Sequence, residues 1–104
     1  MNVFDLMAQL KEYGFVRLYS GDPLGRVIEN PGSVLLKIVE NVQQAKDEQN
    51  RLYRVFSAKN TPIKAAHNFQ IDLENGSRIH IIPASVAQPE RWYGLDRKKT
   101  FYYS

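Results

Sequence analysis

Val3, Phe4, Leu6, Met7 and Leu10 recur at spacings of three and four, which puts them on one helical face. The spacing predicts a short helix over 2–13. Asn2 can cap its start, and Gly14 can end it in a left-handed turn. A longer stripe, Leu35, Ile38, Val39, Val42 and Ala45, repeats at i, i+3, i+4 and i+7. It predicts an amphipathic helix over 34–49 behind Ser33 as N-cap, with Lys37, Glu40, Gln44, Asp47 and Glu48 mostly off the stripe. A stripe of this kind requires a sheet to cover.

The strand signals fall around that helix. Residues 15–19 are rich in aromatic and β-branched side chains and read as a strand. The Gly- and Pro-containing stretch 20–25 reads as a turn and 26–29 as a second strand, which together predict a hairpin. Asn30-Pro31-Gly32 breaks the pattern. Residues 52–57 read as a third strand and 59–67, with Pro62, as an irregular connection. In 68–73, Phe69, Ile71 and Leu73 alternate with polar neighbours, the period of a fourth strand. Asn75-Gly76 then predicts a type I′ turn into a fifth strand over 78–82, which Pro83 ends.

The resulting order, one helix and then β-β-α-β-β-β, is an α+β fold. It matches a β-grasp (ubiquitin-like) sheet crossed by one long helix, with an extra N-terminal helix; a split β-α-β fold with the first helix as a full member is the alternative. Residues 1–84 form this domain, and 85–104 form a basic, aromatic C-terminal tail without a clear period.

A chain of 104 residues suffices for one domain with one core. The net charge of +3 is a solubility-level bias that does not by itself imply nucleic acid. The absence of cysteine excludes disulfides, thiol nucleophiles and cysteine-ligated metal centres. Asp5 and Lys11 interrupt the first apolar residues, unlike a secretory leader, and no apolar run nears the ~20 residues that span a bilayer. A soluble, cytoplasmic protein is expected, without a membrane partner.

His67 and His80 are the only histidines, and neither belongs to a metal-binding or catalytic pattern. Ser20 precedes a Gly-Asp turn and Ser33 caps a helix, so neither sits in a nucleophile elbow. The stretch 21–25 lacks the Gly-Lys-Ser/Thr ending of a phosphate loop. No catalytic residue, cofactor or metal is expected.

The tail carries the candidate partner-binding residues: Arg91, Trp92, Tyr93, Arg97, Lys98, Lys99, Phe101, Tyr102 and Tyr103. Interleaved rings and cations suit three roles. The rings can fold back and finish a small core, form a protein interface enriched in Tyr, Trp and Arg, or stack bases while the cations meet phosphates. The stretch 97–103 can also add an edge strand to a partner.

Val16-Arg17-Leu18-Tyr19 before a Gly-containing turn, Tyr53-Arg54-Val55 after the helix, and Leu73-Glu74-Asn75-Gly76-Ser77-Arg78-Ile79-His80-Ile81-Ile82-Pro83 resemble the N-terminal ubiquitin-like domain of lambda-type phage tail tip assembly proteins. The resemblance covers 15–84. It implies a β-grasp domain without enzymatic activity, acting in tail assembly with another tail component and cytoplasmic or virion-associated. The leading helix and the basic tail lie outside the family's pattern. The expectation is therefore a non-enzymatic protein-interaction module, with a small nucleic-acid-binding protein using the tail as the alternative.

Overall fold

The computed structural model describes residues 1–103. Its first helix, α1 (Val3–Glu12), begins where the apolar stripe predicts. Asn2 accepts from the Asp5 amide at 2.8 Å, and Gly14 takes φ +106 just beyond the end. Asp22 then caps α2 (Pro23–Glu29) by accepting from the Leu24 amide, and Pro23 supplies a preset φ in the first helical turn. Leu24 and Val27, three apart, turn into the core.

The central strand is β1 (Val34–Val39). Asn41 caps α3 (Val42–Ala58) by accepting from the Gln44 amide at 2.9 Å, while the Gln44 side chain accepts from the Glu40 amide at 2.8 Å. This exchange closely resembles a capping box and satisfies two amides at the helix entrance. Ala45, Leu52 and Phe56 form the buried stripe of α3. Strands β2 (Ile63–His67), β3 (Gln70–Leu73) and β4 (Arg78–Pro83) follow. Two 3₁₀ turns, Ala84–Val86 and Pro89–Trp92, lead to β5 (Thr100–Tyr102).

The five strands form one mixed sheet in the order β2-β3-β4-β1-β5. β1 lies parallel to both β4 and β5, and β2-β3-β4 is an antiparallel meander. Both sheet faces are covered. Leu35, Ile71, Leu73, Ile79 and Ile81 pack with Val27, Leu52, Phe56 and Tyr103 in one cluster. Leu36, Ile82 and Tyr102 pack with Leu6, Leu10, Phe15 and Trp92 in the other.

The α+β class stands, as a five-strand mixed sheet with three α-helices. The placement of several elements does not. Residues 34–39, expected in a helix, are the central strand. The 35/38/39 spacing fits a helix, but Leu36 is buried on the opposite face, as in a strand covered on both sides. Residues 52–57, expected as a strand, belong to α3, where Leu52 and Phe56 share one face at i, i+4. Residues 26–29, expected as the return strand of a hairpin, are helical because Asp22-Pro23 starts α2. Residues 15–19 make a single bridge, Leu18 with Tyr102, and pair with the end of the chain.

The N-terminal hairpin that defined the expected β-grasp is thus absent among the described residues. The connection 59–67 contains β2. The loop after β3 is not the expected two-residue turn either. The Gly76 amide donates to the Leu73 carbonyl at 3.1 Å and the Leu73 amide to Ser77 at 2.8 Å, with Gly76 at φ +87 and Asn75 outside the positive-φ region. That is a three-residue loop with glycine at its left-handed position.

Finally, 85–103 is not a tail beside a domain of 1–84. It supplies β5 and three buried rings to the same body.

Candidate functional site

The nine aromatic and cationic residues of the C-terminal segment do not form one surface. Trp92, Tyr102 and Tyr103 are buried. Tyr102 sits in β5 against α1, and Tyr103 donates from its hydroxyl to Glu48 Oε2 on α3 at 3.0 Å. Arg51 grips the same carboxylate through two nitrogens, at 2.6 and 2.9 Å. This pairing lowers the Glu48 pKa despite partial burial; burial together with the Glu48 charge raises that of the Tyr103 hydroxyl.

Tyr93 and Arg97 serve a different contact. Tyr93 stacks on Tyr13, with ring centres 3.7 Å apart. Arg97 donates to the carbonyls of Tyr13 and Tyr93 and lies over the Tyr13 and Phe15 rings. The pair fastens the end of α1 to the C-terminal segment.

Lys98 and Phe101 meet Arg17 and Arg26, while the Lys99 carbonyl accepts from the Val34 amide of β1 at 3.3 Å. Arg17 donates to the Lys98 carbonyl at 2.8 Å, and its guanidinium lies 5.6 Å from the Phe101 ring centre. Arg26 lies 4.3 Å from the same ring centre and 5.3 Å from that of Tyr19. Among the described residues, none of Arg17, Arg26, Lys98 and Lys99 forms a salt bridge. The nearby Asp96 is committed to the loop backbone, accepting from the Lys98 amide at 2.9 Å.

These cations flank an open backbone edge. Tyr102 donates to the Arg17 carbonyl at 2.7 Å and accepts from the Tyr19 amide at 2.8 Å. Leu18, between them, points its own N–H and C=O away from the sheet, as parallel pairing requires. Among the described residues, neither Val16 nor Leu18 makes a backbone hydrogen bond. The two residues are 66% and 67% exposed, which leaves an apolar and unpaired margin. The opposite edge is blunted. β2 follows Pro62, carries Lys64 and shifts register between Ile63 and Ala65, the devices that discourage strand addition.

Arg91 and Trp92 lie elsewhere, on a cavity of about 340 Å³ between the β2–β3 turn, β4 and the second 3₁₀ turn. Phe69, Gln70, His80 and Gln88 also line it, and none of its lining residues is acidic. Phe69 adopts φ +60, a left-handed conformation that is costly for a bulky residue. Gln49 on α3 holds the turn there, accepting from the Phe69 amide and donating to the His67 carbonyl. His80 is 8% exposed and its Nε2 has no hydrogen-bond partner. Burial, assisted by the Arg78 and Arg91 charges and opposed by Asp72, pushes its pKa down to about 4. The ring is therefore neutral at pH 7.

Sequence reasoning named the C-terminal residues as one group and not their division among core, clasp, edge and cavity. It passed over Arg17, Arg26, Val16 and Leu18 as hairpin residues and His80 as an isolated histidine. The run of apolar and basic residues at 16–18 was the available signal for the edge. The cavity needed the tertiary fold. Among the described residues, no cluster of three or more His, Asp or Glu could hold a metal ion, and no helix is long and apolar enough to cross a membrane. Compared with protein-family models, curated proteins and solved structures, the chain matches none.

Proposed function

We propose that this chain is a non-enzymatic protein-interaction module that takes an extended segment of its partner as a sixth strand along residues 16–18. The carrying observation is the outward-facing peptide group of Leu18 on an edge with no blunting device other than Arg17. An added strand gains main-chain hydrogen bonds, and its alternate side chains cover Val16 and Leu18. Arg17 on the edge, joined to Lys98 through the Lys98 carbonyl, favours a segment that carries carboxylates. Assembly of a phage tail, the role implied by the sequence resemblance, is one setting for such a module.

The test selects displayed random peptides of about twelve residues on the intact chain, long enough to lay a strand along this edge. Selected sequences are expected to alternate apolar residues with Asp or Glu. Leu18→Pro removes an N–H that bonds to nothing among the described residues, so it should abolish peptide binding with little change in thermal unfolding. Peptides bound equally by wild type and Leu18→Pro would overturn the proposal.

The unpaired cations favour a second reading, a nucleic-acid strand along the same side of the molecule. That reading requires oligonucleotide affinity that falls steeply with salt, because bound phosphates release counterions. It also requires the salt slope to become shallower in Lys98→Gln and Lys99→Gln.

A further inference from the structure

From the cavity between the β2–β3 turn and the second 3₁₀ turn, we infer that the protein has a separate binding site for a small planar organic anion, with Arg91 taking the anionic group, Trp92 forming an aromatic wall and His80 supplying a hydrogen-bonding group.

Four observations converge on this assignment. The cavity's volume of about 340 Å³ is within the range of small-molecule sites. Its lining contains one full cation, Arg91, and no carboxylate. Arg91 forms no salt bridge among the described residues, and its nearest recorded partner is the Trp92 ring at 5.6 Å. A guanidinium presented this way matches a carboxylate in a planar, two-point contact.

The third observation is the orphaned imidazole. A buried polar atom without a partner is rare in a folded protein, and each case calls for an explanation. His80 lines the cavity with Nε2 unpaired, while the polar atoms of Asp72, close by on β3, are engaged by His67, Gln70 and Arg78. A bound molecule with a hydroxyl or carboxyl group would give the ring the partner that the chain withholds.

The fourth is the wall opposite. Phe69 is held in a strained backbone conformation by Gln49, which accepts from the Phe69 amide and donates to the His67 carbonyl, and strain of this kind concentrates at ligand sites. Trp92 gives the cavity aromatic surface, which suits a flat ligand body rather than an inorganic ion.

The chain contains one tryptophan, so its single indole N–H signal reports on the cavity wall. The intact protein, labelled with ¹⁵N, is titrated with benzoate, benzyl alcohol and benzylammonium, which share a ring and differ in charge. Benzoate should shift the Trp92 indole and His80 ring signals saturably. Benzyl alcohol should bind at least tenfold more weakly and benzylammonium more weakly still. Arg91→Gln should remove the preference for benzoate over benzyl alcohol, and Lys98→Gln, on the other surface, should leave it intact. No saturable shift with benzoate, equal response to all three probes, or a preference that survives Arg91→Gln would each overturn the assignment. None of these outcomes depends on peptide binding at residues 16–18.

Discussion

Acidification from pH 7 to pH 4 should destabilise this protein largely through one residue. His80 titrates near 6.5 as a free side chain and at about 4 in the fold. Between these values the unfolded chain binds a proton that the folded chain excludes. Stability therefore rises with pH through this window, is fully present above 6.5, and is lost as pH falls toward 4. The gap between 6.5 and about 4, at ~1.4 kcal/mol for each tenfold change in proton affinity, sets a ceiling of about 3 kcal/mol. About 2 kcal/mol of it should be gone by pH 5.

The neighbouring charges divide, with the two arginines in the direction of the shift and the carboxylate against it. Arg78 and Arg91 oppose protonation, Asp72 favours it, and burial exceeds all three. The assay is urea unfolding at half-unit steps from pH 7.5 to 4, for wild type and His80→Gln. Carboxylates titrate in both proteins, so the difference between the two curves isolates the imidazole. Wild type should lose about 2 kcal/mol more than the variant between pH 7 and pH 5. Parallel curves, or an imidazole pKa measured by NMR above 6, would refute the reasoning.

Truncation after Ala87 should abolish cooperative unfolding, checked by circular dichroism on heating. It removes the buried Trp92, Tyr102 and Tyr103, and truncating even one such ring typically costs about 3–5 kcal/mol of a total near ~5–15. Gly14→Ala should lower stability by about 1–2 kcal/mol in chemical denaturation. At φ +106 the new Cβ would also stand 2.7 Å from Arg97 Cδ, in the clasp to Tyr13. Ser77→Ala should cost about 1–3 kcal/mol by the same measurement. The hydroxyl is fully buried, donates toward the Val27 and Asn30 carbonyls, and accepts from the Ser33 amide.

The legible parts of the fold were those with local causes. Asn2, the 3–4 spacing of Leu6 and Leu10, and Gly14 together define α1, all within fifteen residues. The strand Arg78–Pro83 was readable because Pro83 and the Asn75-Gly76 loop bound it. Val34–Val39 was misread because a strand buried on both faces is apolar at nearly every position, so a helical template also finds matches in it. The decisive local sign was Asn41-Val-Gln-Gln44, the cap that starts α3 after the strand rather than before it. Pro23 behind Asp22 served both a turn and a helix start, and only Leu24 and Val27 in the core distinguish them.

The surfaces were less legible for a topological reason. Arg17 and Lys98 lie 81 residues apart in sequence and meet because β5 enters between β1 and residues 17–19. Composition marked the C-terminal segment by its rings and cations. It could not separate Trp92, buried against α1, from Lys98, left in water.

The insertion of β5 also sets an order of events during synthesis. Helix α1 and Phe15 leave the ribosome early, yet the rings that cover them, Trp92 and Tyr102, are translated about eighty residues later. At ~5–20 residues per second, the apolar face of α1 waits several seconds for its cover. The nascent chain must hold that surface in solution, or in the care of a chaperone, until residues 100–103 emerge. Closure of the sheet then depends on contacts between segments more than eighty residues apart, a high-contact-order step that slows folding. A ribosome stalled before residue 100 would present an exposed helix face together with the unpaired margin of β1, a species suited to aggregation or proteolytic removal.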